Sequence, residues 1–428
     1  MMRILGIGDW NDLGDMYLSL AAEGHEVRVY IAEQQGHDIL EGLVERVDDW
    51  RGCLPWLREV GSQGVVLFET AHHGILQDEL RRDGFQVIGG SAFGDRLEAD
   101  RLLGQKVLRE VGFQTIPSWT FIDSSRAIEF IRQHPGRYVV KYDGDANIAC
   151  QTFSGRSSDG ADVVALLTAR GTQWPGRILM MEHVYGVEVG IGAYFNGERF
   201  LEPACLDWEH KRFFPGDIGE LTGEMGTLVT YEHSSLLFER TLSRLAPTLQ
   251  MGGYRGYINL NTIVNQSGIW PLEFTSRFGY PGYSILGALQ RDGWSDLLQR
   301  VLDPGSSRFS FMPGYAMGVV LTVPPFPYHY GYEQLSKGTL VSFITMTDHD
   351  QKHIHLGEVA MRNGSLVCSG LIGSILVVTG LGVDAAQARA DAYGRVDRVV
   401  IPNVRYRDDI GLRFIDRDQH MMRQWGYL

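Results

Sequence analysis

Residues 256–264 read GYINLNTIV, residues 265–268 read NQSG, and residues 269–282 read IWPLEFTSRFGYPG. Two apolar stretches with alternating polar positions flank an Asn-Gln-Ser-Gly turn, which is the pattern of a β-hairpin. Because side chains alternate between the faces of a strand, Asn261 is predicted to meet Glu273 and Thr275 on one face, with Arg277 two residues further on. Such an oxygen cluster suits magnesium beside nucleotide phosphates. A polar hairpin face with a solvated carboxylate is the alternative.

The composition indicates a globular protein that acts on small molecules. The chain has 428 residues, 44% apolar and 21% charged, with a formal net charge of −13. This length predicts domains of about 100–200 residues each. The negative charge argues against a nucleic-acid polymer or an anionic membrane as partner. We expect no membrane span, because no apolar run approaches about 18 residues.

The cysteine pattern bears on the cellular compartment. The four cysteines lie far apart without a CxxC pair, so neither a zinc site nor a disulfide framework is expected. Reduced thiols and an N-terminus without a signal-peptide pattern predict a cytoplasmic protein.

The order of patterns along the chain predicts several domains of α/β and α+β class. Strands alternate with helices over residues 1–95, which indicates a parallel α/β domain. Residues 96–311 follow, beginning with a helix predicted over Leu97–Val111 and including a compact α+β segment at 117–190 that is expected to act as a lid. Residues 312–428 are predicted to form a strand-rich C-terminal domain. The first turn contains G-x-G but has Asn11 where a dinucleotide site needs its third glycine, so a tight strand-to-helix turn is favoured.

Charged residues recur at strand ends between the lid and the hairpin. Lys141 lies in VVKYDG, Glu182 and Glu188 lie in MMEHVYGVEVG, and Lys211 and Arg212 lie in a charged loop. A lysine for phosphate, a carboxylate for ribose and an oxygen cluster for Mg²⁺ are the parts needed to bind ATP without a Walker loop. Taken singly, each is equally a solvated surface charge.

The motifs together resemble those of ATP-grasp enzymes and, over nearly all of the chain, those of the phosphoribosylamine–glycine ligase family. The resemblance is carried by residues 85–101, 139–144, 180–190, 206–214, 221–226, 256–264 and 272–282, and by MGVVLTVPPFPYHY, GSILVVTGLG and YRDDIG near the C-terminus. It implies an ATP-grasp fold with an N-terminal parallel α/β domain, a mobile lid and a C-terminal strand-rich domain.

The resemblance also implies roles for individual residues, with ATP and Mg²⁺ (or Mn²⁺) as cofactors. ATP-binding residues would be Arg101, Lys141, Glu182 and Glu188. Metal ligands would be Glu273, Asn261 and Thr275. Catalytic residues would be Arg277, Lys211 and Arg212, and substrate-binding residues would be Thr222, Gly223, Gly279 and Tyr280. Two positions depart from the family, which has a lysine at Arg101 and an asparagine at Thr275.

Larger departures lie where the family binds its amine and phosphoribosyl groups. The family's GxGGREHA-like turn is GDWNDLGDMY here, and its GPNTGGMG is GELTGEMG. Its RFGDPE is RFGYPG, so both acids after Arg277 are lost. The loop at 143–155, DGDANIACQTFSG, has few glycines and no lysine, whereas the family's loop is rich in glycine and carries another lysine.

We therefore predict an ATP-dependent ligase that joins a small carboxylate to an amine through an acyl phosphate, with altered substrates. The carboxylate would be an amino acid such as glycine, and the amine would be carried on a ribosyl or nucleotide compound. Two alternatives stay open. One is a nucleotide-binding protein that has lost catalysis, and the other is an ordinary purine-pathway phosphoribosylamine–glycine ligase.

Overall fold

The computed structural model of the chain describes residues 1–143, 152–171 and 177–428. Near the N-terminus, buried apolar strands alternate with helices. The helices serve as the crossover connections that parallel strands need, and the strands form one parallel sheet. Its elements are β1 (Arg3–Gly8), α1 (Gly14–Ala22), β2 (Glu26–Ile31), β3 (Glu45–Arg46), α2 (Leu54–Arg58), β4 (Gly64–Phe68), α3 (Gly74–Arg82) and β5 (Gln86–Ile88). The strand order is β3-β2-β1-β4-β5, which confirms the predicted parallel α/β fold.

Two helices lead from this sheet toward the lid, α4 (Ala92–Ala99) and α5 (Arg101–Glu110). The single helix predicted over Leu97–Val111 is wrong. Asp100 breaks it, because its carboxylate accepts hydrogen bonds from the N–H groups of Leu102 and Leu103 at 3.0 Å each and so caps α5. Arg101 consequently opens a new helix.

The following segment packs as a small antiparallel unit with its own apolar cluster. Its elements are β6 (Ser118–Phe121), α6 (Ser124–Gln133), β7 (Tyr138–Asp143), β8 (Phe153–Ser154), α7 (Ala161–Arg170) and β9 (Arg177–Glu182), with strand order β6-β9-β7-β8. Val140, Val163 and Met180 are fully buried at its centre. Of the loop predicted to be poor in glycine, residues 144–151 lie outside the described residues.

An antiparallel sheet forms the centre of the molecule. The chain runs through β10 (Val187–Phe195), β11 (Phe200–Glu209), β12 (Arg212–Phe214), β13 (Ile218–Leu221), β14 (Gly226–Thr230), α8 (Ser235–Arg240), α9 (Ala246–Met251), β15 (Gly256–Asn265), β16 (Gly268–Thr275), α10 (Gly282–Gly287) and α11 (Gly293–Leu302). The predicted hairpin is present as β15 and β16, which Gln266 and Ser267 join.

The C-terminal residues extend the same sheet. They form β17 (Tyr315–Thr322), α12 (Tyr332–Leu335), β18 (Ser342–Phe343), α13 (Asp348–Gln351), β19 (Ile354–Leu356), β20 (Val359–Arg362), β21 (Ser365–Cys368), β22 (Ser374–Gly382), α14 (Ala385–Val396), β23 (Val399–Val400) and α15 (Gln419–Gln424). The full strand order is β16-β15-β10-β11-β14-β17-β22-β19. The sheet thus crosses the domain limit drawn between residues 311 and 312, and the three domain ranges stay a prediction. None of the helices in the described ranges is long and apolar enough to cross a membrane.

A buried carboxyl group closes the first turn of the parallel sheet. Glu69, at the end of β4, is fully buried and accepts hydrogen bonds from the N–H of Asp12 at 2.9 Å and the hydroxyl of Tyr17 at 2.8 Å. A Cβ at Gly8 would come within 1.9 Å of Glu69 Oε2, so only glycine allows this approach. Burial, with the nearby charge of Asp12, raises the pKa of Glu69 to about 8.

The raised pKa of Glu69 predicts a specific loss of stability with rising pH. Above the unfolded pKa near 4.5, the unfolded chain releases the proton while the folded chain keeps it until about pH 8, so stability falls by about 1.4 kcal/mol per pH unit. Glu69→Gln stays neutral and should remove this part of the decline. Urea midpoints measured across that range test it. The exposed Glu79→Gln on α3 should behave like the wild type, and an unchanged slope in Glu69→Gln would contradict the account.

Candidate active site

One face of the central sheet carries the polar residues singled out in the hairpin. Asn261 lies directly opposite Glu273, and Asn259 lies opposite Thr275. Asn261 also donates a hydrogen bond from Nδ2 to Glu188 Oε1 on β10 at 2.9 Å. The opposite face is apolar, with Leu260 and Phe274 buried in the main core. The period-two pattern sets the face, and a register shift between Asn261 and Thr262 brings Asn261 opposite Glu273.

Three cations from separate parts of the chain converge on the Glu273 carboxylate. Arg101 Nη1, at the start of α5, lies 3.1 Å from Oε2. Lys141 Nζ, on the lid strand β7, lies 3.8 Å from the same oxygen. Lys211 Nζ lies 3.7 Å from Oε1 and 2.8 Å from Glu209 Oε2. The cluster therefore connects the lid, α5 and the central sheet.

The ionisation of these groups follows from their mutual contacts. Burial disfavours the charged form of Glu273, but Lys141, Lys211 and Arg101 outweigh it and lower its pKa to about 2. Burial likewise opposes the charge on Lys211, yet the carboxylates of Glu209 and Glu273 raise its pKa well above the usual range. For Lys141, burial is the main cause and lowers the pKa. The nearby cations Arg101 and Lys211 lower it further. A polyanion that took over these cations would relieve their repulsion.

The cluster stands in a cavity of about 400 Å³ between the lid and the central sheet. Its charged lining includes the predicted residues Arg101, Lys141, Glu182, Glu188, Lys211, Arg212 and Glu273. Its apolar lining comes from Ile116, Met181, Val184, Ile263 and Leu272. A cavity with an apolar wall and a cationic wall fits a ligand with a flat base and a phosphate chain.

The donor set fits a hard divalent cation. Glu273 and Asn261 present oxygen atoms from paired positions, and Glu188 is hydrogen-bonded to Asn261. Among the described residues, no group of three His, Cys, Asp or Glu side chains is arranged to hold a metal ion. Mg²⁺ is usually bound by one or two protein carboxylates together with water and substrate phosphates, so this sparse set is sufficient. Thr275 lies two ladder pairs further along, opposite Asn259.

A second cavity, also of about 400 Å³, lies between the first turn of the parallel sheet and the C-terminal strands. Of the predicted substrate-binding residues, Gly223 and Tyr280 line it. The Tyr280 hydroxyl lies 3.1 Å from Ser374 Oγ. The other two predicted substrate-binding residues make hydrogen bonds within the chain. Thr222 donates to the Lys211 carbonyl at 2.8 Å, and the Gly279 carbonyl accepts from the Tyr283 N–H at 2.8 Å.

Arg277 and Arg212 point to different surroundings. Arg277 Nε lies 3.3 Å from Glu98 Oε1, and its charge acts on Asp12 and on Glu224, which line the second cavity. Arg212 lines the first cavity and donates through Nη1 to the Gly219 carbonyl at 2.7 Å. The structure therefore brings Lys211 to the Glu273 cluster, places Arg212 in the lining of the same cavity and sets Arg277 beside Glu98.

Sequence reasoning missed several charged residues of these cavities. Glu209 pairs with Lys211, and its place two residues earlier in DWEHKR could have revealed a shared strand face. Asp207, again two residues earlier, accepts from Asn259 Nδ2 at 2.6 Å. Arg413 lines the first cavity and pairs with Asp217 at 3.0 Å. No local pattern marks Arg413, because only the tertiary fold brings it there.

Comparisons with known proteins agree with this geometry. Residues 99–283 match the family model described as phosphoribosylglycinamide synthetase, ATP-grasp (A) domain. The phosphoribosylamine–glycine ligase of Neisseria meningitidis serogroup B is 27% identical over 97% of this chain and 100% of its own length. The corresponding protein of a Nostoc species is 26% identical over 86% of this chain and 88% of its length.

Solved structures show the same fold. The crystal structure of phosphoribosylamine–glycine ligase from Thermotoga maritima matches with a TM-score of 0.73 and 20% identity, covering 96% of this chain and 100% of that one. A biotin carboxylase from Campylobacter jejuni matches with a TM-score of 0.65 and 11% identity over 99% of both chains. The chain therefore has the fold of ATP-grasp proteins, and over nearly its whole length it is similar in sequence to the phosphoribosylamine–glycine ligases.

Proposed function

We propose that the chain is an ADP-forming ligase that activates a small carboxylate with ATP and transfers the acyl group to an amine. The observation that carries this proposal is the convergence of Arg101, Lys141 and Lys211 on Glu273 inside a cavity whose other wall is apolar. Phosphoryl transfer depends chiefly on positioning and on neutralising charge, and these cations meet both needs. The names of the relatives support the same reaction class.

ATP and a divalent cation, Mg²⁺ or Mn²⁺, would be the cofactors. Bound to Glu273 and Asn261, with Thr275 as a further oxygen, the cation would neutralise charge between the phosphates. Arg101 and Lys141 would hold the phosphates, and Glu182 and Glu188 would face the nucleoside. Supporting this arrangement, Glu182 lines the same cavity next to the apolar residues Met181 and Val184.

The remaining predicted residues would serve the acyl transfer. Lys211 and Arg212 would stabilise the transferred phosphoryl group from the sheet side, and Arg277 would hold the carboxylate or acyl phosphate in a bidentate contact. Thr222, Gly223, Gly279 and Tyr280 would form the substrate walls. Closure of the lid, residues 117–190, would keep water from hydrolysing the acyl phosphate.

We propose that the substrates differ from those named for the relatives. Tyr280 and Gly282 replace the two acids of the family pattern, and Glu224 replaces a glycine. Two of these replacements, Tyr280 and Glu224, line the second cavity. An amino acid such as glycine remains the proposed carboxylate substrate. An amine carried on a ribosyl compound is one candidate for the amine substrate. We place the reaction in the cytoplasm, in keeping with the free and buried thiols of Cys53, Cys205 and Cys368.

Lys141→Ala should weaken binding of a non-hydrolysable MgATP analogue by about tenfold to a hundredfold, because hydrogen bonds to charged groups contribute about 1.5–3 kcal/mol. Isothermal titration calorimetry on the full chain measures this. Lys106→Ala is the matched control, since its side chain is 64% exposed and pairs only with Glu110 in α5. Equal affinities of Lys141→Ala and the wild type would count against the nucleotide site.

ADP release with Mg²⁺ should require both a carboxylate and an amine, tested with a panel of amino acids and amines. With the most active pair, Glu273→Gln should lower kcat by about a hundredfold, because an electrostatic contact in the transition state is lost. The exposed Glu239→Gln should match the wild type. Analogue binding without turnover of any pair would instead identify a nucleotide-binding protein, and turnover of glycine with phosphoribosylamine alone would identify the ordinary purine-pathway ligase.

A further inference from the structure

The second cavity has a lining that is aromatic and acidic. Trp10, Tyr280 and Phe326 supply aromatic surface, and Asp12, Glu224 and Glu358 supply carboxyl groups. Among the described residues that line it, none is a lysine or arginine, and His329 is the one imidazole. Aromatic faces and carboxylates together bind organic cations, whereas phosphate groups are usually held by arginine, lysine or free backbone N–H groups.

Glu224 and Asn11 are residues of this lining with a buried side-chain oxygen that accepts no hydrogen bond, although the charges of Lys211 and Arg277 act on Glu224 from outside the lining. In Glu224 this atom is Oε1, and the Oδ1 atom of nearby Asp207 is buried and unpaired as well. Burial, together with the carboxylates of Glu209 and Asp207, raises the pKa of Glu224 well above its usual range. Unpaired buried acids are costly, so a cationic donor at this position would be stabilising. Glu358, by contrast, accepts backbone hydrogen bonds from Leu371 and Ile372 and is satisfied.

The first turn of the parallel sheet is closed to anions. Backbone N–H groups at such a strand-to-helix turn commonly hold phosphate. Here the N–H of Asp12 donates to the buried Glu69 side chain at 2.9 Å, and that side chain rests against Gly8. An anionic ligand at this turn would meet the side chain of Asp12, which lines the cavity, and would find the Asp12 N–H already bonded to Glu69.

We propose that the second cavity takes an amine substrate that carries an additional positive charge on a short apolar chain, and that it does not take a phosphorylated ribosyl amine. This inference rests on the proposed ligase function, because it names the class of its amine. One ammonium group would pair with Glu224 and Asp12, the chain would lie against Trp10 and Phe326, and the free amine would reach toward the Glu273 cluster. Glu209 lines the first cavity, and the charges of Glu209 and Asp207 act on Glu224, so these carboxylates would attract the amine toward the first cavity.

The test is a binding measurement that does not depend on turnover. 1,5-Diaminopentane, pentylamine and ribose 5-phosphate are titrated calorimetrically into the full chain with Mg²⁺ and a non-hydrolysable ATP analogue. We expect 1,5-diaminopentane to bind more tightly than pentylamine and ribose 5-phosphate not to compete with it. Glu224→Gln should weaken 1,5-diaminopentane binding by about tenfold, the loss expected for one charge-assisted hydrogen bond.

Controls separate this inference from the ligase proposal. Glu110→Gln, whose side chain is 63% exposed on α5, should bind 1,5-diaminopentane like the wild type. ATP-analogue affinity in Glu224→Gln should stay unchanged, which also shows that the variant folds. Asp12→Asn provides a second variant with the same expected loss. Three results would each overturn the inference, whatever the ADP-release assay shows. They are competition by ribose 5-phosphate, equal affinity for 1,5-diaminopentane in both acid variants and the wild type, and no saturable binding of 1,5-diaminopentane.

Discussion

The contact on which the site depends is the meeting of one carboxylate with three cations. Glu273 receives Arg101 from α5, Lys141 from the lid and Lys211 from the loop after β11. Like charges brought this close repel, and the carboxylate offsets that repulsion while no polyanion is bound. The same contact fixes the lid relative to the sheet. Under the proposed function, a nucleotide that took over the cations would free Glu273 for a metal ion, and this would link nucleotide binding to the position of the lid through one side chain.

The two cavities differ in charge, and the sheet face between them explains how they would cooperate. Lys211 lines the first cavity, where cations and carboxylates are both present, whereas Glu224 lines the second, whose described lining has carboxylates but no lysine or arginine. A phosphorylated ligand is therefore favoured on one side and a cationic ligand on the other. Under the proposed function the acyl phosphate would form at the junction, where the amine arrives from the acidic side.

The sequence was sufficient for features set by local pattern. Period-two alternation indicated which polar residues of β15 and β16 share a face, but the pairing of Asn261 with Glu273 also depends on a register shift between Asn261 and Thr262 that the pattern does not show. The break at Asp100 was also readable, since aspartate before a helical stretch is a common cap. The contact of Glu69 with the first turn and the position of Arg413 were not readable, because residues far apart in the chain make them. The continuation of the central sheet into β17, β22 and β19 likewise depends on long-range pairing.

A crystal structure of the full chain with Mg²⁺ and a non-hydrolysable ATP analogue tests the central claim most directly. The account predicts that Lys141 and Arg101 leave Glu273 to contact the phosphates, and that Glu273 and Asn261 contact the metal ion. The base should lie against the apolar wall of the first cavity. An analogue bound elsewhere, or bound there while Glu273 keeps all three cation contacts and no metal, would contradict it.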